Sequence, residues 1–236
     1  VIPVHNSARF INDALVSLLE QTIGDWEAVI VDDHSEDNVE EIVSRYRDER
    51  FRFFKLPDNR GRGISCARNY GNFMAKSDLI AVLDSDDLAK PIRAERALTS
   101  YLENKWDFYC TWRETLNLSG EEMIPLTEQK VIPTKWDSEL FKVQSFVTHS
   151  SVVYTRMSAL EIPYNSAIPA LVDYDLISRF IESGKKMFLD PIVTVTYRRF
   201  ENQGVTISTN REYRLRLLHA IRSWRGWENE DVHPDN

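Results

Sequence analysis

The stretch that decides the fold is Leu79-Ile80-Ala81-Val82-Leu83-Asp84-Ser85-Asp86-Asp87. Its first part is an unbroken apolar run with the length of a strand, and such runs are typical of strands buried on both faces of a parallel sheet. Three carboxylates then follow within four positions. Because they repel one another, a fold that gathers them at a strand end needs a cation or a set of hydroxyl groups beside them. A solvated turn that caps the next helix is the alternative.

Strand-like and helix-like segments alternate upstream of this stretch. Strands are indicated at residues 1–4, 27–31 and 51–56, and helices at residues 7–21, 39–46 and 65–75. This alternation predicts an α/β fold with a mostly parallel central sheet that is flanked by helices. Asp32 and Asp33 follow the second strand directly. Ligands of open α/β sheets bind beyond the carboxyl ends of the strands, so we expect a polar site where the two acidic groups meet.

The pattern weakens in the second half of the chain. It indicates a helix up to residue 104, strands at 107–112 and 150–155, a helix at 174–183 that ends at Gly184, and one or two strands over 186–199 broken at Pro191. Residues 113–145 carry few periodic signals, and we expect loops with short elements there.

Composition excludes several classes of protein. The chain has 236 residues and a formal net charge of −8, which fits one globular domain and argues against a nucleic-acid binder. Two cysteines are too few for a disulfide framework, so we expect a reducing, cytoplasmic setting. The sequence contains no apolar run of about 18 residues that could span a bilayer. Residues 1–4 resemble the second half of a strand, and we expect further sequence before them.

Two other motifs carry chemistry. Asp32 and Asp33 could accept a hydrogen bond from a nucleobase N–H or a ribose hydroxyl, or could belong to an ordinary strand-to-helix turn. The arginines of residues 59–63 and Arg68 suit phosphate or base contacts, with plain surface arginines as the alternative. A dinucleotide-binding fingerprint is disfavoured because Cys66 stands where a further glycine is required.

Taken together, these motifs resemble glycosyltransferase family 2. The shared series is Pro3-Val4-His5-Asn6, Gln21-Thr22, Val31-Asp32-Asp33-His34-Ser35-Glu36-Asp37, Asn59-Arg60-Gly61, Ala67-Arg68-Asn69 and Leu83-Asp84-Ser85-Asp86-Asp87. It covers residues 1 to about 91 closely and the remainder loosely. The resemblance implies a GT-A fold with a Rossmann-like N-terminal half. It also implies a nucleotide-sugar donor, a divalent cation (Mn²⁺ or Mg²⁺) and inversion of the anomeric centre.

The resemblance also implies roles for individual residues. Asp32 or Asp33 would hold the nucleoside base, and Arg68 would lie near the base or the phosphates. Asp84 and Asp86 look like the family's Asp-x-Asp element, and the metal would contact Asp86 or Asp87. The nucleotide-binding residues predicted in this way are Pro3, Val4, Asn6, Asp32, Asp33, Arg68, Asp84 and Asp86.

Inversion in one displacement requires a base that removes the proton of the acceptor hydroxyl. The family usually supplies it from a Glu-Asp pair that opens a helix in the second half, and residues 172–175 look like that place. Asp173 is the predicted catalytic base and Asp175 its rival. Val172 replaces the usual Glu. The alternative is that both carboxylates only favour the helix N-terminus electrostatically.

The sequence departs from the family pattern in Tyr197-Arg198-Arg199-Phe200, where Phe200 stands in place of a histidine. Arg198 and Arg199 could still close over the diphosphate. His149 resembles a polar position that faces the donor sugar or the acceptor, although a lone histidine is more often structural.

We expect one catalytic domain over residues 1–210, with a nucleotide-sugar-binding half (1–110) and an acceptor-binding half (111–210), followed by a helical tail (211–236). The acceptor would be a glycan or a glycolipid. The basic amphipathic segment 211–227 could lie on the inner face of the membrane, which would suit a lipid-linked acceptor, or pack on the catalytic domain. Two other functions compete: a nucleotidyltransferase, whose Gly-rich, Lys-bearing signature is missing at residues 5–9, and a non-catalytic binding module.

Overall fold

The computed structural model describes residues 1–119, 122–125, 133–143, 145–200 and 211–227. The strands are β1 (Ile2–Val4), β2 (Ala28–Asp32), β3 (Phe51–Lys55), β4 (Leu79–Ala81), β5 (Leu88–Ala89), β6 (Phe108–Ser119), β7 (Glu122–Pro125), β8 (Val153–Thr155) and β9 (Met187–Phe200). The α-helices are α1 (Ala8–Leu19), α2 (Val39–Ser44), α3 (Ile64–Met74), α4 (Arg93–Asn104), α5 (Ser138–Val143), α6 (Arg156–Glu161), α7 (Val172–Glu182) and α8 (Arg211–Trp224). Single 3-10 turns lie at Asp58–Arg60 and His149–Ser151.

The N-terminal half is a parallel, Rossmann-like α/β unit, which confirms the predicted fold class. Strands β1, β2 and β3 pair in that order, and both pairings are parallel. All five residues of β2 are buried, as expected of a strand covered on both faces. Asp32 is the last residue of this strand. The sheet therefore carries the first acidic pair to its carboxyl edge.

The second half forms a mixed sheet with the order β4-β8-β6-β9-β5, and β7 pairs with β6. Only the β6–β9 pairing in this sheet is parallel among the described residues. The two sheets meet where the amide of Leu83 donates to the carbonyl of Val1 at 3.1 Å. This contact places Asp84 beside the start of β1, and the hydroxyl of Ser85 reaches the turn after β1, where it donates to Ser7 Oγ at 2.9 Å.

Three elements differ from the sequence-based expectation. Strand β6 runs on to Ser119 and turns back as β7, so part of the region predicted to be loops is a hairpin. Strand β9 is continuous, and its pairing with β6 skips Pro191 and Ile192. A proline cannot donate to the ladder, and a bulge lets the strand pass it without ending. Helix α6 was not predicted because its six residues are too few to show a period.

The segment 211–227 packs on the rest of the described structure. Ile221 belongs to the main buried cluster, and Leu217, Leu218 and Trp227 pack against it. These four apolar side chains of the 211–227 segment are therefore used by the core, whereas Trp224 is exposed. Within the described part of the chain, none of the helices has the length and apolar character needed to cross a bilayer.

Candidate active site

The centre of the site is an ion pair between α3 and the loop that follows β4. The Nη2 atom of Arg68 lies 2.5 Å from Oδ1 of Asp84, and the Arg68 side chain is 3% exposed. Burial on its own raises the pKa of Asp84, but the charge of Arg68 and the hydrogen bonds from Arg68 and Ser150 hold it below its usual value. Asp84 is therefore a stable carboxylate inside the protein.

Both carboxylate oxygens of Asp87 are bound within the protein. Its side chain is completely buried. Its Oδ2 accepts a hydrogen bond from the hydroxyl of Ser150, and its Oδ1 accepts one from the backbone N–H of Arg198 at 3.0 Å. Burial, together with the charges of Asp84 and Asp86, raises the pKa of Asp87 to about 8. Because both oxygens are engaged away from solvent, we leave Asp87 out of the metal site.

Asp86 differs from its neighbour because it is only half-buried. Burial and the charge of Asp84 raise the pKa of Asp86 to about 6. A carboxylate in this position is crowded by negative charge, and a divalent cation would relieve that repulsion. Asp86 is therefore the member of the cluster that best fits a metal.

Arg198 fixes the backbone of the acidic loop, residues 84–87, to helix α1. Its side chain is 5% exposed; Nε donates to the backbone carbonyl of Asp86, and Nη1 lies 2.7 Å from a carboxylate oxygen of Asp13. Nη2 donates to the carbonyl of Phe10 at 3.3 Å. Arg198 thus ties the loop to α1, instead of closing over a diphosphate as the sequence suggested. Arg199, the next residue of β9, is exposed.

The second acidic pair lies at the end of β2. Asp33 uses both carboxylate oxygens: Oδ1 lies 3.2 Å from Nδ1 of His34, and Oδ2 accepts the N–H of Gly63 at 2.7 Å. Asp32 is 5% exposed and accepts the N–H of Ser35 through Oδ1 at 3.0 Å. Its Oδ2 forms no hydrogen bond with the described part of the chain. Of the two candidates, Asp32 retains an oxygen for a nucleoside, and Asp33 anchors the 57–63 loop.

The turn after β1 supports this edge. The carbonyl of Val4 accepts the N–H of Asp33 at 2.8 Å. Asn6 adopts a left-handed conformation with φ of 51°, its N–H donates to Ser35 Oγ at 2.9 Å, and its Oδ1 accepts the N–H of Glu36 at 2.8 Å. Pro3 is buried in β1. Pro3, Val4 and Asn6 therefore shape the rim, and a role in nucleotide binding stays a prediction.

Helix α7 carries the two candidate bases in different surroundings. Asp175 is completely buried, and its oxygens lie 2.8 Å from Arg179 and 2.8 Å from Arg225. It has no access to an acceptor and serves as an ion-pair centre. Asp173 is partly exposed, and its charge is among those that raise the pKa of Arg68 against the effect of burial. Asp173 therefore remains as the candidate base.

His149 lies between these groups. It is 7% exposed, and its Nε2 lies 2.8 Å from the hydroxyl of Tyr164. Burial and the charge of Arg68 lower the pKa of His149 well below its usual value, while Asp84 opposes them. The histidine is accordingly neutral, and it borders the ion pair of Arg68 and Asp84.

Two residues of this site were missed by the sequence reasoning. Ser150 accepts the N–H of Asp84 at 3.1 Å while it donates to Asp87. Tyr164 packs its ring 5.5 Å from the guanidinium carbon of Arg68. Ser150 could have been found as a small polar residue directly after the candidate His149. The segment around Tyr164 contains no sequence motif that would indicate a site.

No three histidine, cysteine or acidic side chains within the described ranges are arranged to hold a metal ion by themselves. The residues present fit a different kind of metal site. In such a site Asp86, beside Asp84, would bind the ion, and oxygens of a ligand and of water would complete its coordination. Mg²⁺ and similar ions are commonly bound in this way, through one or two carboxylates plus phosphate.

Comparison with known proteins identifies the family. The model of the family described as "Glycosyl transferase family 2" matches residues 1–162. The chain belongs to glycosyl transferase family 2. Its resemblance to the family, first indicated by the residues around Asp32 and Asp84, is therefore confirmed.

Three known proteins illustrate the similarity. The chondroitin synthase of Pasteurella multocida is 28% identical over 193 residues, which are 81% of this chain and 19% of that protein. The structure of S. aureus TarS (residues 1–349) in complex with UDP has a TM-score of 0.70 and 18% identity to this chain. The match covers 100% of this chain and 66% of the TarS chain. The mannosyltransferase PcManGT of Pyrobaculum calidifontis, solved with GDP-Man and Mn²⁺, has a TM-score of 0.68 and 14% identity over 99% of this chain and 64% of that one. The chain thus spans about two thirds or less of each of these proteins, and the structural likeness supports the GT-A fold.

Proposed function

We propose that this chain catalyses the transfer of a sugar from a nucleoside diphosphate to a hydroxyl of a glycan or glycolipid, with inversion, in polysaccharide or cell-envelope glycan biosynthesis. The observation that carries the proposal is the convergence of three elements. Arg68 of α3 pairs with Asp84 in the loop after β4, and the charge of Asp173 of α7 acts on Arg68 and raises its pKa. The solved relatives bind UDP or GDP-Man, and the chondroitin synthase acts in glycan synthesis, which supports this substrate class.

Each side of the site has a separate task in the proposal. Asp32 accepts a hydrogen bond from the nucleoside through its remaining oxygen. Arg68 supplies positive charge near the phosphates, and its pairing with Asp84 keeps that charge fixed inside the protein. UDP is our first choice of nucleotide because it is bound in the TarS structure.

Asp86 is the proposed ligand of a divalent cation, Mn²⁺ or Mg²⁺, and Asp84 contributes charge beside it. A cation bound there would neutralise the charge that develops on the leaving diphosphate. The buried hydrogen bonds of Asp87 and Arg198 hold the backbone of this loop, so the carboxylate of Asp86 is presented from a rigid turn.

Asp173 is the proposed base. The oxygen of the acceptor hydroxyl forms a bond to the anomeric carbon, while the bond from that carbon to the diphosphate oxygen breaks and leaves its electron pair on the diphosphate. The hydroxyl proton passes to the Asp173 carboxylate. Attack from the face opposite the leaving group inverts the anomeric centre.

Location and partners are also proposals. A cytoplasmic setting fits a nucleotide-sugar donor. Membrane contact through residues 211–227 is not supported, because Leu217, Leu218 and Ile221 pack towards the core. The division into a donor half (1–110) and an acceptor half (111–210) stays a prediction.

The direct test is a panel of UDP- and GDP-sugars with Mn²⁺, with Mg²⁺ and with EDTA. We expect metal-dependent release of the nucleotide from one donor, and proton NMR of the transfer product should show an inverted anomeric centre. A retained configuration would contradict the proposed mechanism. Turnover of nucleoside triphosphates with sugar phosphates would favour the nucleotidyltransferase, and tight binding without turnover would favour the binding module.

A further inference from the structure

Gln21 and Thr22, which follow helix α1, belong to the series of motifs that resembles the family, but the candidate site leaves them without a task. The side-chain amide of Gln21 forms hydrogen bonds in two directions. Its Nε2 donates to the backbone carbonyl of Lys90 at 2.9 Å, and its Oε1 accepts the backbone N–H of Ala94 at 2.9 Å. The backbone N–H of Thr22 donates to the carbonyl of Pro91 at 2.9 Å. The end of α1 is therefore bound to the segment that follows the acidic loop.

Gln21 also supplies a cap that helix α4 lacks. Helix α4 begins at Arg93, and its N-cap residue, Ile92, forms no side-chain hydrogen bond to the helix. The first backbone N–H groups of a helix have no partner within the helix, so another acceptor is needed. Gln21 provides one to Ala94 from 73 positions away. Without this contact, the start of α4 and the chain before it would be less firmly fixed.

Ser17 holds the same segment one turn earlier in α1. Its hydroxyl donates to the carbonyl of Ala14 at 2.7 Å, and its oxygen accepts the backbone N–H of Ala89 at 3.1 Å. Ser17 is 6% exposed, and polar groups buried in this way are nearly always hydrogen-bonded. Strand β5 consists of Leu88 and Ala89 alone, which is shorter than most strands and leaves it dependent on other contacts. Ser17 therefore fixes β5 against α1.

The contacts to the acidic loop and to the segment after it come from one face of α1 and its flanking residues. The residues on this face are spaced by one or two helical turns: Ser7, Phe10, Ser17 and Gln21. At the start of the face, the hydroxyl of Ser85 donates to Ser7 Oγ at 2.9 Å, and Arg198 donates to the backbone carbonyls of both Phe10 and Asp86. The chain is thus held by α1 both before and after Asp86.

The proposed metal ligand lies between these two groups of contacts. We propose that Ser17 and Gln21 are positioning residues for the metal site: by fixing the segment after the acidic loop to α1, they hold the carboxylate of Asp86 where it binds a divalent cation. This inference rests on the proposed function, because it takes Asp86 as the metal ligand. Neither side chain needs to touch the ion. Residues that support a ligand in this way typically change metal affinity by about 10- to 100-fold when they are replaced.

Three variants separate this role from a general loosening of α1. Gln21→Met keeps the length of the side chain and removes its hydrogen bonds to residues 90–94. Ser17→Ala removes the hydroxyl that fixes β5, and it tests the proposal independently if Gln21→Met fails to fold. The matched control is Asn12→Ala, because Asn12 lies on the same helix but accepts the hydroxyl of Tyr46 at 2.8 Å, away from the acidic loop. Thermal unfolding of each variant measures the general loss of stability.

Calorimetric titration of Mn²⁺ in the presence of UDP measures the effect on the metal site. We expect binding to weaken about 10-fold in Gln21→Met, to weaken also in Ser17→Ala, and to stay unchanged in Asn12→Ala. In transfer assays, the Mn²⁺ concentration for half-maximal rate should rise in the first two variants, while the rate at saturating Mn²⁺ stays near that of the natural protein. Equal Mn²⁺ affinity in all four proteins, or an equal loss in the control, would overturn the proposal. A lower saturating rate with an unchanged requirement for Mn²⁺ would also overturn it.

Amide hydrogen exchange of the metal-free protein tests how the effect reaches the loop. The backbone N–H of Arg198 donates to Asp87 at 3.0 Å, so its exchange reports on the acidic loop. In Gln21→Met, this amide should exchange faster together with that of Ala94, and in Asn12→Ala both should exchange as in the natural protein. Faster exchange at Ala94 alone would show that Gln21 acts only on α4, and it would overturn the proposal. Absent binding of UDP and Mn²⁺ to the natural protein would reject the proposed function, whereas normal binding in both the natural protein and Gln21→Met would reject this inference alone.

Discussion

The guanidinium of Arg68 and the carboxylate of Asp84 form an ion pair at 2.5 Å, in which the arginine is 3% and the aspartate 28% exposed. The pair joins helix α3 to the loop after β4, and Asp84 is its more exposed member. Burying a charge is costly unless a partner compensates it, so each residue depends on the other. The arrangement places a fixed positive charge beside the acidic loop where the donor is proposed to bind.

Replacing Arg68 with Met should destabilise the fold by about 3 kcal/mol, because Asp84 is left without its partner. Urea denaturation measures the loss. The matched control is Arg45→Met, which breaks the exposed pair with Glu41 and should cost less than about 1 kcal/mol. Equal losses in the two variants would mean that the buried pair contributes no more than a surface one.

Replacing Asp173 with Asn should leave UDP binding intact and reduce transfer by about 10²- to 10⁴-fold, the contribution typical of a general base. Initial rates of transfer and calorimetry of UDP with Mn²⁺ measure the two effects. Asp175→Asn, two positions away, should instead lower the unfolding temperature, because Arg179 and the buried side chain of Arg225 lose their common partner. Undiminished turnover in Asp173→Asn would remove this residue from the base role.

Replacing Arg225 with Met should also destabilise the catalytic domain. The Arg225 side chain is 4% exposed and binds Asp175 at 2.8 Å, and it also pairs with Glu182. We expect a loss of about 3 kcal/mol in urea denaturation, since a buried carboxylate loses one of two cations. Arg216→Met, at an exposed position of α8, the helix that precedes Arg225, is the control. If Arg225→Met unfolds like the natural protein, the tail does not contribute to the domain.

The imidazole of His34 should titrate above its usual pKa. Its Nε2 lies 2.8 Å from Asp58 and its Nδ1 3.2 Å from Asp33, and both hydrogen bonds raise the pKa of His34. The protonated ring donates to both carboxylates, so its stabilising effect is full below pH of about 6.5 and is lost as the pH rises through the raised value. Proton NMR of the ring measures the titration. In Asp58→Asn the value should fall, and an unchanged titration would contradict the contact.

The sequence predicted the donor half well because its signals are local. The buried strand β2 ends at Asp32 as predicted, whereas β4 covers only Leu79–Ala81, pairs antiparallel with β8 and ends three positions before Asp84. The sequence predicts less well which face of the sheet a given side chain lies on. Successive residues of a strand face opposite sides, so one of Arg198 and Arg199 had to point inward, but the sequence cannot tell which.

The contacts of Asp87 and Asp175 show the same limit. Residue type and spacing identify acidic positions, yet whether a carboxylate meets a ligand or an internal partner depends on distant segments. Ser150 reaches Asp87 across 63 positions, and Arg225 reaches Asp175 across 50. Such contacts follow from the tertiary fold, and no local pattern contains them.

The most direct test of the account is calorimetry of UDP with and without Mn²⁺, with GDP in parallel, on the natural protein, Asp86→Asn and the exposed control Asp25→Asn. We expect binding that requires the metal in the natural protein and in Asp25→Asn and that vanishes in Asp86→Asn. Binding of equal strength in all three proteins, with or without Mn²⁺, would contradict the claim that the acidic end of β4 holds a cation for a diphosphate.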